Sequence, residues 1–204
     1  MMATTTETEV QKLYVAYFSR PADVAGLAYW TNILANNPTG YQLISASFAA
    51  SAEYKANYAG MDSHATVNAV YQHLFGRPAE TAGADYWANL LDRHAITIDN
   101  VVTQIAGGAQ GNDSVAYNGK VATATVFTAH LDQPVEQQAY STPAGLKMAS
   151  DYLAAIHDLG SGAAAVDPGN IDITIENMVK AATGLADHPV GLVGVADPAH
   201  PLFG

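Results

Sequence analysis

Residues 14 to 34, YVAYFSRPADVAGLAYWTNIL, return 57 positions later, without a gap, as residues 71 to 91, YQHLFGRPAETAGADYWANLL. Eleven of these 21 positions are identical, among them Arg20/Arg77, Pro21/Pro78, Gly26/Gly83, Tyr29/Tyr86 and Trp30/Trp87, and they include both tryptophans of the chain. The likeness fades downstream, where Ile44 and Phe48 align with Val101 and Ile105. Whatever fold the chain takes must therefore hold two like units side by side.

Each unit reads as helix, loop, helix and a third helix. Val10, Leu13, Tyr14, Tyr17 and Phe18 recur at helical spacing. Arg20-Pro21 ends that run, because a residue before proline is pushed out of the α region. Asp23 is placed to cap the next helix, with Glu80 or Thr81 in the second unit. Leu27, Trp30, Ile33 and Leu34 continue the apolar stripe. Glycine one turn into this helix costs about 1 kcal/mol relative to alanine, so its presence at Gly26 and again at Gly83 predicts close packing under an aromatic ring. Asn36 to Gly40 breaks the chain, a third helix starts near Tyr41, and Ser51 to Tyr54 extends it or opens a short fourth one.

Beyond the repeats, Gly107 to Asn112 reads as a break and Val115 to Leu131 as a helix. Ser141-Thr142-Pro143 opens another helix running to about His157, which Gly160 to Gly162 would end. Ile171 to Ile175 alternates like a strand, but Glu176 to Ala182 favours a short helix. Pro189, Pro198, Pro201 and three glycines mark the last twenty residues as a linker or loosely docked tail. The expected architecture is all-α: tandem helix-loop-helix repeats in a multi-helix bundle with an irregular C-terminal tail. Its parts are residues 1–109 (units about 8–58 and 65–109), a further helical segment at 110–183 packed on the repeats, and the tail at 184–204.

Composition narrows the function. Of 204 residues, 49% are hydrophobic and only 13% charged, with a net charge of −11. Eight scattered basic residues form no patch able to displace the counterions of a nucleic acid. An anionic bilayer would repel this surface, and no stretch approaches the ~20 apolar residues of a membrane span. With no cysteine, thiol catalysis, disulfides and thiolate zinc sites are excluded. The opening MMATTTETE lacks the basic and apolar regions of a secretory signal peptide.

Few motifs carry chemistry. Arg20 with Tyr29 and Trp30, and Arg77 with Tyr86 and Trp87, are candidate ligand-binding sets: aromatic faces suit the C–H surfaces of sugars and guanidinium suits hydroxyl or phosphate. The alternative is that each arginine ties its loop to a helix end or a carboxylate, and that the tryptophans belong to the core. Asp167, Asn170 and Asp172 put three oxygen-bearing side chains in one turn and are a candidate calcium site, although the spacing is not that of an EF-hand. The seven histidines show no His-x-x-x-His pair, and no Gly-x-Ser-x-Gly, Walker or Gly-x-Gly-x-x-Gly motif occurs. An enzyme is not expected.

The repeated Arg-Pro-Ala, acidic or hydroxyl cap, Gly and Tyr-Trp resembles the DUF4214 domain of bacterial surface-layer, RTX-type and other exported proteins, over roughly residues 8 to 160. Gly119-Lys120-Val121-Ala122 and Tyr152 to Ile156 look like the segment that follows this domain in surface-layer-like proteins. The resemblance implies the N-terminal module of a larger exported chain, extracellular and at the cell surface, leaving by type I secretion. It further implies anchoring to lipopolysaccharide or another surface glycan, with calcium, or assembly by self-association. A secreted glycan-binding adhesin module is the alternative, and a small glycan-acting enzyme a distant third.

Overall fold

The computed structural model describes residues 4–184, so the tail expected from residue 184 onward lies, apart from Gly184, outside the described residues. These residues form twelve helices and no strand. The first unit comprises α1 (Thr5–Phe18), α2 (Val24–Asn36), α3 (Gly40–Ala50) and α4 (Ala52–Tyr58). The second comprises α5 (Ser63–Phe75), α6 (Thr81–Asp92) and α7 (Val101–Gly107), leading into α8 (Gly111–His130). The helices α9 (Pro134–Tyr140), α10 (Pro143–Ala154), α11 (Leu159–Ala165) and α12 (Pro168–Thr183) complete the bundle.

Local chemistry sets these ends. Thr4 and Glu7 close a capping box on α1, and Asp23 accepts the Gly26 N–H at the start of α2. Glu80 occupies the corresponding N-cap of α6 without a side-chain cap bond. Ser51 is extended and caps α4, which makes α4 a separate helix and not an extension of α3.

One apolar core joins α1, α3, α5 and α7 with the first half of α8, through Leu13, Tyr17, Phe48, Val70, Leu74, Ile105 and Val121. A second core gathers Phe127, Tyr140, Ala149, Ile171, Ile175 and Met178 around the far half of α8. The helix α8 thus belongs to both. Hydroxyls stitch the units together: Tyr17 donates to the Asp99 carbonyl at 2.8 Å and Tyr117 to that of Lys12 at 2.9 Å.

Three expectations need correction. Gly160 and Gly162 do not end a helix but lie within α11, where Asp158 and Ser161 form the opening cap. A Cβ on Gly119 would lie 3.5 Å from Gly162 Cα, so these glycines let α8 and α11 approach closely. Gly111 and Asn112, read as part of a break, form the first turn of α8. The alternating Ile171 to Ile175 stretch belongs to a sixteen-residue helix, α12. Ile171, Ile175 and Met178 are buried at helical spacing while Ile173 points outward, so the period of two was coincidental. The helix α9 was not foreseen, since its seven residues give too short a pattern.

The paired glycines do lie under aromatic rings. A Cβ on Gly26 would collide with the Tyr14 hydroxyl and come within 2.7 Å of Asp23 Oδ2, whereas one on Gly83 would meet the Tyr71 hydroxyl at 3.3 Å. Gly26→Ala is therefore expected to destabilise the protein by about 1–3 kcal/mol. Gly83→Ala should lie within about 1 kcal/mol of the parent, because helix propensity offsets the milder contact. Urea denaturation of both variants checks this; equal costs would contradict the difference in packing.

Candidate functional site

Each repeat is organised by the corner between its first two helices. The helix α1 ends at Ser19 in the left-handed conformation (φ 54°), and α5 ends at Gly76 (φ 73°), the matching position. Glycine is suited to this backbone, and a Cβ on Gly76 would also press within 2.9 Å of His157 Cβ. Beyond the corner, Gln11 Oε1 accepts the Ala22 N–H at 3.1 Å, and Asn68 Oδ1 accepts the Ala79 N–H at 3.1 Å. These amides occupy the same repeat position, a correspondence hidden in the sequence by the change from Gln to Asn. Gln11 Nε2 also donates to Thr128 Oγ1 at 2.8 Å, and that hydroxyl donates to the Ala22 carbonyl at 2.7 Å.

The arginine of each corner grips a carboxylate on the first turn of a following helix. Arg20 donates from Nε and Nη2 to the two oxygens of Glu53 on α4, at 2.7 and 2.9 Å. Arg77 donates in the same way to Asp113 on α8, at 2.8 Å for both bonds. In both, Nη1 turns back to the carbonyl of the next proline, at 3.2 Å for Pro21 and 2.9 Å for Pro78. The fork matches carboxylate geometry, which makes arginine the residue suited to this position. Burial works against the charge of Arg20, yet the hydrogen bonds from Glu53 hold its pKa above the ordinary arginine value. Arg77 is raised chiefly by its bonds to Asp113.

Arg20 and Arg77 therefore act as clamps inside the fold, with all three guanidinium nitrogens bonded to protein. The structure separates them from the aromatic residues with which they were grouped. Tyr29 and Tyr86 are each 59% exposed, on α2 and α6. Tyr29 meets Trp30 edge-on at 4.7 Å and 76°, and Tyr86 meets Trp87 at 5.1 Å and the same angle. Both tryptophans are partly buried against the main core, Trp30 edge-on to Phe48 at 5.4 Å. Each copy thus displays one outward tyrosine braced on a half-buried tryptophan.

The three residues of the candidate calcium turn each face a partner of their own. Asp167 caps α12 and accepts the Asn170 N–H at 3.3 Å, and the Asn170 side chain donates to the Ala164 carbonyl at 3.1 Å. Asp172 Oδ1 pairs with His130 Nδ1 at 2.7 Å. Among the described residues, no group of three or more His, Asp or Glu side chains is placed to hold a metal ion. Among them, too, no helix is long and apolar enough to cross a membrane.

Sequence reasoning missed Glu53, Asp113, Gln11 and Asn68. Only the last two stand at the repeat spacing, and there the chemical type alone, an amide, was the signal.

Comparison with known proteins agrees with this duplication. A family model described as "Domain of unknown function (DUF4214)" matches residues 2–56 and again residues 45–110. No curated protein and no solved structure matches the chain. Because the two matches together span more than half of its length, the chain belongs to the DUF4214 family, with two copies of that domain in tandem.

Proposed function

We propose that the chain is a non-catalytic binding module of an exported, surface-layer-like protein, and that it anchors this protein to lipopolysaccharide or another surface glycan. The observation that carries the reading is the repeated Tyr-Trp pair, with matched exposure and edge geometry in both copies. A rigid aromatic residue held outward is suited to stacking on the C–H face of a sugar. Its partner tryptophan fixes the ring, so little conformational entropy is lost on binding. Two copies on one chain suit a repetitive ligand, since a second contact adds avidity. The net charge of −11 would oppose a phosphate-bearing glycan, and bridging calcium would relieve that opposition.

The test is binding of the full chain to purified bacterial lipopolysaccharide and to its O-antigen polysaccharide, with calcium and then with chelator, followed by tryptophan fluorescence. Saturable binding is expected. Tyr29→Ala combined with Tyr86→Ala should weaken it at least tenfold, the loss of two exposed stacking contacts of about 1 kcal/mol each. The thermal midpoint should move little, because both rings are exposed. Undiminished binding by the double variant, or none by the parent in either condition, would remove the reading.

A further inference from the structure

The two Arg-Pro corners differ in what covers them. Tyr140 of α9 lies on Arg20, with the guanidinium carbon 5.9 Å from its ring centroid. Arg20 Nη1 donates to the Tyr140 hydroxyl at 3.2 Å, and that hydroxyl donates to the Pro21 carbonyl. Tyr140 is fully buried in this seat. At the second corner the corresponding ground is an open cleft of about 460 Å³, lined by Phe75, Gly76, Arg77, Glu80, Asn112 and His157, among others. The first four are the repeat partners of Phe18, Ser19, Arg20 and Asp23. The cleft is built from the residues that surround the tyrosine in the first copy.

The same difference shows at the guanidinium. Arg20 lies over the rings of Tyr14, Phe18 and Tyr140, at 5.5, 5.1 and 5.9 Å. Arg77 lies over Tyr71 at 5.4 Å, the equivalent of Tyr14. Its side chain is 35% exposed, against 10% for Arg20. Glu80 makes no cap bond, and its carboxylate stands at the cleft, 2.7 Å from Arg77 Nη1 and largely exposed.

We propose that the Arg77 cleft is a recognition site for a tyrosine side chain presented by another polypeptide. The ring would take the place beside the guanidinium that Tyr140 holds in the first copy, a cation–π contact. Its hydroxyl would accept from Arg77 and donate to the Glu80 carboxylate, which takes the part played by the Pro21 carbonyl. The occupied first corner supplies the template: one sequence motif, one guanidinium fork, one phenol. The cleft lining does not include Tyr86 or Trp87, so the site stands or falls apart from the glycan reading.

The experiment titrates the full, isotope-labelled chain with N-acetyl-L-tyrosinamide while observing the Arg77 Nε–H and the Gly76 amide by NMR. Saturable shifts centred on the cleft are expected. N-acetyl-L-phenylalaninamide, lacking the hydroxyl, should bind about fivefold more weakly, the worth of one hydrogen bond. Arg77→Lys should abolish the saturable response with the remaining amide spectrum preserved. Should that variant disturb the Asp113 contact, Glu80→Ala on the exposed rim gives an independent reading, namely loss of the preference for phenol over phenyl. Equal binding of both amides, shifts centred elsewhere, or no shift at the solubility limit would overturn the proposal.

Discussion

Glu53→Ala is expected to cost about 2–4 kcal/mol of folding stability, a larger loss than any other single carboxylate in this chain should produce. The reason is its partner. The Arg20 side chain is 10% exposed and cannot be neutralised at any working pH. Without Glu53 its buried charge keeps only the Pro21 carbonyl and the Tyr140 hydroxyl as acceptors. The cost stays below that of a fully enclosed pair, because the Glu53 side chain is itself 40% exposed. The equivalent change at the other clamp, Asp113→Ala, should cost about 1 kcal/mol or less, since Arg77 is reached by water and retains Glu80. Urea unfolding of the two variants side by side checks the contrast. Similar losses would mean that burial does not distinguish the two corners.

The second large effect concerns pH. Lys120 is buried on α8, and its ammonium donates to the His73 carbonyl, near the end of α5, at 2.6 Å. Burial pushes its pKa down to about 8 from the ordinary lysine value of 10.5. The unfolded chain therefore holds more protons than the folded one between these values, and stability must climb with pH through that interval. Integrated fully, the interval is worth ~3 kcal/mol. Above pH ~10 the trend reverses: burial raises Tyr54 and Tyr58, so the unfolded tyrosines lose protons that the folded ones retain. Burial, with Lys120 nearby, lowers His73, so stability also declines as pH falls through the ordinary histidine value of 6.5. The outcome is a maximum at roughly pH 9–10, about 2 kcal/mol above the stability at pH 7. Lys120→Met should flatten the rise between pH 7.5 and 9.5. Denaturation curves across this range measure both, and a parent protein whose stability is level from pH 7 to 9.5 would refute the burial of a charged lysine.

Several of these features could be read directly from the letters. The Arg-Pro stop, the Asp23 cap and the glycine beneath an aromatic ring all depend on residues within a turn or two of one another. Local chemistry therefore announces them. Glu53 and Asp113 could not be found this way. Fifty-seven residues beyond Glu53 stands Gln110, so the two carboxylates do not align, and only the packing of α4 and α8 brings each to its arginine. Lys120 was read as one of eight scattered charges, because burial is a property of the assembled bundle. The helices α11 and α12 were misjudged where glycine and alternating isoleucine gave local signals that tertiary contacts overrode. The ligand candidates were half resolved: the Tyr-Trp pairs face outward together, while the arginines grouped with them face inward.

The clamps also bear on where this module begins and ends. The second domain match stops at residue 110, three residues before the carboxylate that holds Arg77. The segment of recognisable sequence and the segment that closes on itself are thus different lengths. Each copy borrows its latch from what comes next, so a tandem array of this kind is held in series, like roof tiles pinned by the course above. A chain cut at the family boundary would expose a guanidinium with half of its partners gone, whereas a cut beyond the first turns of α8 would carry the latch with it. Inheritance by duplication then has a built-in condition: a copied unit is complete only when its successor, of whatever origin, offers an acid at the start of its first helix.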